Sequence, residues 1–184
     1  MKRISALWGN IFKEQAEDKS IVSILKRVPI FSELSQTEFN LMEKIVYLRN
    51  YHEGEIVFVE GEPGAGMYII ETGKVRICLG PHTDEEHEIC VLEAGDFFGD
   101  LALIDDSPRS ATAVSLTSTR LIGFFRSDLI SIINRTPRMG VKIQHNILKI
   151  LVRRLRTTDK HLNEVQEELR QFEESLPKNQ DNKS

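Results

Sequence analysis

A chain of 184 residues and 21.1 kDa has room for one domain with helical extensions, and excludes two full enzyme domains. Its 40% hydrophobic and 28% charged residues, with a mean hydropathy of −0.27, exclude wholesale disorder and a membrane protein. The 24 Lys plus Arg against 28 Asp plus Glu leave a formal charge of −4, so nothing attracts nucleic acid or anionic lipid globally and an anion has to be captured locally.

In chain order, Met1-Lys2-Arg3 carries the charge of a secretory n-region, but the apolar stretch after it is interrupted by Ser5, Gly9 and Asn10 and lacks a small-residue cleavage site. It reads as mature sequence. Ile4, Leu7, Trp8, Ile11 and Phe12 form one stripe of an amphipathic helix within an N-terminal extension, residues 1–20. Glu14, Glu17 and Asp18 favour packing on the domain or a partner subunit over a membrane surface. A second helix runs from about Ser20 to Lys26 and stops before Pro29, which cannot continue the backbone ladder. Ser35-Gln36-Thr37-Glu38 is a capping box ahead of Phe39, Leu41 and Ile45.

From Val46 the apolar period changes to two. Short runs at Ile56–Val59, Met67–Ile70, Val75–Leu79, Ile89–Leu92, Ala113–Leu116 and Leu121–Phe125 predict strands. Eight of the eleven glycines, from Gly54 to Gly99, punctuate them at the intervals of an antiparallel roll. Pro81–Glu86 reads as a hairpin tip that brings Cys78 and Cys90 close on neighbouring strands. Two cysteines are too few for a disulfide framework, so reduced core thiols in a reducing compartment are expected.

After Pro137 the pattern is helical. Leu148, Leu155, Leu162, Leu169 and Leu176 recur every seven residues, with Leu151, Thr158, Val165 and Phe172 between them. A heptad repeat of this length, flanked by Arg153, Arg156, Glu164 and Glu168, points to a helix–helix seam. A homodimer through Leu148, Leu151, Leu155, Leu162, Val165 and Leu169 is expected. The tail 177–184 is polar and expected to fray. The fold class is therefore α+β: an antiparallel β-roll over residues 21–140, N-terminal helices, and a long C-terminal helix over 141–176.

The chemistry concentrates in Phe97–Ala113, FFGDLALIDDSPRSATA. Gly99 opens a short helix-like segment from Asp100 to Ile104, whose free N–H groups suit an anion. Nine residues after Asp100 comes Arg109, a fixed cationic fork for phosphate, followed by the Ser110 hydroxyl. A carboxylate here fits a sugar hydroxyl beside that phosphate. The competing reading is a degenerate roll in which Arg109 pairs with Asp105 or Asp106.

This segment resembles the phosphate-binding cassette of the cyclic nucleotide-binding domain family, to which bacterial catabolite activators and the regulatory subunits of cAMP-dependent protein kinase belong. Val28-Pro29-Ile30-Phe31-Ser32-Glu33-Leu34-Ser35, Glu60-Gly61-Glu62-Pro63-Gly64, Met67-Tyr68-Ile69-Ile70 and Gly73-Lys74-Val75 resemble further family segments, and the likeness spans about Ile21 to Leu162. It implies backbone contacts from Gly99, Leu101 and Ala102, a ribose contact from Asp100, and a phosphate held by Arg109 and Ser110. It also implies that Leu151-Val152-Arg153-Arg154-Leu155 begins a dimerising helix and that Thr158 stands where activators contact adenine. The family's usual acid is glutamate. Asp100 is one methylene shorter, which implies weaker binding.

No nucleophile–base–orienter set is present, so no enzyme is expected. His52, His82, His87, His145 and His161 lack metal-ligand spacing. The absence of a membrane-length apolar stretch and of a convincing secretory signal suggests a cytoplasmic protein. The sequence thus predicts a sensor of cAMP, less favourably cGMP, acting through its C-terminal helix on an unidentified effector. A ligand-independent interaction module and a DNA-binding regulator are the alternatives; the second needs a reader helix that no remaining segment supplies.

Overall fold

The computed structural model describes residues 20–80 and 87–175. The Ile4–Phe12 helix, the 81–86 hairpin tip, Leu176 and the 177–184 tail lie outside the described residues. Ser20 caps α1 (Ile21–Arg27) by accepting from the Ser23 amide. The chain leaves the helix at Val28, because Pro29 can only start a new turn, and Pro29–Phe31 forms a 3-10 turn. In α2 (Gln36–Met42) the predicted capping box is present. The Glu38 amide donates to Ser35 Oγ at 3.4 Å and the Ser35 amide donates to Glu38 Oε2 at 2.6 Å.

Eight strands follow: β1 (Tyr47–Tyr51), β2 (Ile56–Phe58), β3 (Gly66–Thr72), β4 (Lys74–Leu79), β5 (His87–Glu93), β6 (Phe97–Phe98), β7 (Thr112–Ser115) and β8 (Thr119–Phe125). They pair antiparallel into two four-stranded sheets, β1-β8-β3-β6 and β2-β7-β4-β5. Ile70, Phe98 and Leu121 from the first sheet meet Val75, Ile77, Leu92 and Ala113 from the second in a shared core. Each large apolar side chain so buried contributes about 1.5–3 kcal/mol.

Every named apolar run became a strand, whereas β1 had no named run. Its residues are exposed or half-buried, so it carries no apolar alternation to read. Cys90 stands opposite Ile77 and Cys78 opposite Glu88, with a register shift between them, so the two are not a directly paired cross-strand couple. Both are buried and neither is in a disulfide, and burial, helped by Asp96 and Glu88, pushes the Cys90 thiol up to about 11.

α3 (Arg126–Arg135) begins where the Phe125 amide donates to the Asp128 carboxylate at 3.1 Å. It ends at Thr136, held out of helical conformation ahead of Pro137. α4 (Pro137–Ser175) then runs unbroken. The chain divides after Ile147. In the first unit Met139, Ile143 and Ile147 are buried, the Asn146 amide donates to the Ile30 carbonyl at 3.2 Å, and Lys142 pairs with Glu38 at 2.8 Å. Phe31 meets Phe124 edge-on at 5.6 Å, fastening the helical lead-in to the roll. In the second unit Leu148, Leu155, Leu162, Val165, Leu169 and Phe172 are all more than half exposed, and Val152 is exposed to a lesser degree.

Candidate functional site

The cassette leaves β6 and returns through β7. Gly99 takes φ 73, a left-handed conformation that suits glycine, and a Cβ there would sit 2.6 Å from Arg109 Nη1. The following residues form a single 3-10 turn, Asp100–Leu103, in place of the expected segment to Ile104. Ala102 is close to Gly64, where an added Cβ would approach its own Cβ at 2.6 Å. The Glu60–Gly64 motif thus lies directly against the cassette.

That motif also fixes Arg109. The Arg109 amide donates to the Glu62 carbonyl at 2.8 Å, the Gly61 amide donates to the Arg109 carbonyl at 2.9 Å, and Pro63 bridges to Pro108. With the backbone clamped, the side chain reaches inward. Nη1 donates to the Gly99 carbonyl at 3.1 Å and Nη2 to the Gly66 carbonyl at 2.8 Å, while Cζ lies 4.0 Å from the centroid of the Phe58 ring. Nε is buried without a hydrogen-bond partner among the described residues. Burial pushes the guanidinium below its ordinary pKa, against the opposing influence of Tyr68 and Glu62. Arginine nonetheless stays charged at neutral pH.

Neither neighbouring aspartate takes this cation. Asp105 accepts from the Ser107 hydroxyl at 2.7 Å, and Asp106 pairs with Arg126. Arg126 also donates from Nη2 to the Gly64 carbonyl at 2.9 Å and from its amide to the Ala65 carbonyl at 2.8 Å. The degenerate reading therefore lacks the ion pair it requires.

A cavity of about 230 Å³ opens between these groups. Gly99, Asp100, Leu101, Ala102, Arg109 and Ser110, all named from sequence, line it together. Asp100 is 2% exposed, whereas Leu101 is 45% exposed at the rim. The Ala102 amide is engaged with the Gly99 carbonyl at 3.2 Å, closing the turn. Thr158 is not among the lining residues: it sits in the second unit with an exposed side chain. Its neighbour bonds back to the helix, Thr157 Oγ1 donating to the Arg153 carbonyl at 3.0 Å. Phe58, Ile77, Phe98 and Ser107 also line the cavity and were not singled out from sequence. Among the described residues no group of three His, Cys, Asp or Glu is placed to hold a metal ion, and no helix is long and apolar enough to cross a membrane.

A glycine-opened turn, a clamped cationic fork and a buried acid between two antiparallel sheets define a cyclic nucleotide-binding domain. The family model for the cyclic nucleotide-binding domain matches residues 48–136, and that segment is a domain of this family. It is 33% identical over 151 residues to the cyclic AMP receptor protein of Thermus thermophilus, covering 82% of this chain and 66% of that protein. It is 27% identical to a cAMP-dependent protein kinase regulatory subunit of Hypocrea atroviridis, covering 65% of this chain and 26% of the relative. Among solved structures, the Thermus thermophilus catabolite activator protein superposes with a TM-score of 0.67 at 32% identity, over 76% of this chain and 63% of that one. The chain thus spans less than two thirds of the length of each of these relatives.

Proposed function

We propose that this protein is a cytoplasmic, non-catalytic sensor that binds cAMP in preference to cGMP and signals through α4, as a homodimer, to a protein effector. The observation that carries the ligand assignment is Arg109: a half-buried cation with no carboxylate partner among the described residues, held by two backbone carbonyls, with one buried N–H unspent there. Leaving a buried donor unsatisfied costs about 1–3 kcal/mol, so an oxyanion in this cavity would recover stabilisation that the fold alone forgoes. A cyclic phosphate supplies that oxyanion beside a ribose hydroxyl within reach of Asp100. Relatives named for cyclic AMP reception and for cAMP-dependent regulation support the choice of ligand. Thr158 serves the base in this reading, as the family resemblance implies.

Calorimetry with cAMP and cGMP tests it: saturable binding with cAMP tighter is expected, and the absence of heat with both nucleotides would refute the ligand assignment. Asp100→Glu restores the missing methylene and is expected to tighten cAMP binding by about 1 kcal/mol, near fivefold to tenfold, as a strengthened charge-assisted bond to the 2′-hydroxyl. A tenfold weakening in the same titration would show that the buried surroundings of residue 100 are shaped to aspartate instead.

A further inference from the structure

Phe58 ends β2, where the pairing with β7 slips: Ile56 faces Val114 while Phe58 faces Ala113. A strand with regular alternation would turn Val57 and Phe58 to opposite sides. With the slip, both pack against the same core. The Phe58 ring consequently lies in the cavity wall, 5.8 Å from the Phe98 ring and 6.2 Å from the Tyr68 ring, with the Arg109 guanidinium at 4.0 Å.

The geometry divides the guanidinium's surroundings by direction. Its edge carries the donors, of which Nη1 and Nη2 each meet a carbonyl and Nε is unspent. Its central carbon lies over the negative face of an aromatic ring, which attracts the cation with no carboxylate in that place. A carboxylate in the same place would occupy the fork and cancel the charge. The ring steadies the cation and leaves both charge and donors to a ligand. Its neighbours Phe98 and Tyr68 restrict the ring's own movement.

We propose that Phe58 is the positioning residue for phosphate recognition: through its ring face it holds the Arg109 fork in the orientation that receives the cyclic phosphate. This rests on the nucleotide reading above. Phe58 lies outside the cassette and acts through Arg109 by the electrostatics of its face, beyond merely filling volume.

The test is calorimetric titration of the full chain with cAMP. A buried cation–π contact is worth about a tenfold change in dissociation constant. Phe58→Leu, which keeps an apolar side chain and removes the ring, is expected to weaken binding about tenfold, and Phe58→Tyr to remain within about twofold of the parent. Replacing Phe58 by mono-, di- and trifluorinated phenylalanine preserves shape while draining the ring face, and the dissociation constant is expected to climb with each fluorine. This series decides the matter should Phe58→Leu fail to fold. A flat fluorine series, or Phe58→Leu binding like the parent, overturns the role of Phe58 while leaving the nucleotide reading intact. A parent protein that binds no cAMP overturns both.

Discussion

Arg109→Leu is expected to weaken cAMP binding by more than about a hundredfold. The substitution removes the only cation that lines the cavity among the described residues and, with it, charge-assisted bonds worth about 1.5–3 kcal/mol each. It also releases the Gly99 and Gly66 carbonyls, which the guanidinium currently satisfies at 3.1 and 2.8 Å. Part of the loss therefore comes from a loosened cassette. Arg109→Lys separates the contributions: it keeps the charge but cannot reach both carbonyls as a fork, so its affinity is expected to fall between parent and leucine variant. Titration beside a thermal melt of each variant provides the check. An Arg109→Leu protein that titrates like the parent would place the phosphate elsewhere.

The second large effect concerns the second unit. Leu148, Leu155, Leu162, Val165, Leu169 and Phe172 lie between 54% and 62% exposed in the single chain, an apolar row along one helix that soluble monomers seldom leave in water. In a two-stranded seam the same side chains interlock, and each copy of Leu162 meets its counterpart's surroundings. Leu162→Asp would bring two uncompensated carboxylates into that seam. The dimer dissociation constant is expected to rise by at least about a hundredfold, near 3 kcal/mol, as judged by sedimentation at micromolar concentration. A parent chain already sedimenting as a monomer would remove the basis for the dimer. The flanking ion pairs Lys160–Glu164 and Arg170–Glu167 are exposed, solvent-screened surface contacts, too weak to replace the apolar row.

Much of this molecule is local in origin and therefore legible. Ser35 and Glu38 are three residues apart and satisfy each other's backbone, so the start of α2 needs nothing from the rest of the fold. The cassette residues from Gly99 to Ser110 are likewise contiguous, and the chemistry of a glycine turn, an acid and an arginine survives translation into coordinates. What escaped was set at long range. β1 owes its place to β8, about seventy residues away, and offers only Tyr47, Leu48, Arg49 and Asn50 to solvent. Phe58 looked like any core residue in an apolar run. Its position against Arg109 depends on the slipped β2–β7 register, which no periodicity encodes. Thr157 and Thr158 are adjacent identical residues, and which hydroxyl turns back to the backbone is a side-chain rotamer choice that the sequence does not display.

The stretch Glu62–Gly66 carries scarcely any side-chain chemistry, yet four of its carbonyls are occupied by two arginines. Glu62 and Gly66 receive the Arg109 amide and Nη2, and Gly64 and Ala65 receive the Arg126 Nη2 and amide. Arg109 belongs to the phosphate cassette and Arg126 is the first residue of α3. The Asp106–Arg126 pair that also joins them has a 92% exposed carboxylate and is worth little by itself. The stiffer connection is the peptide backbone between them. A ligand pulling on Arg109 thus loads the same short span of main chain on which α3 is seated, and this loop works as a crossbar: the cassette cannot shift its grip on Gly66 without transmitting force to the root of the helix that leads into α4.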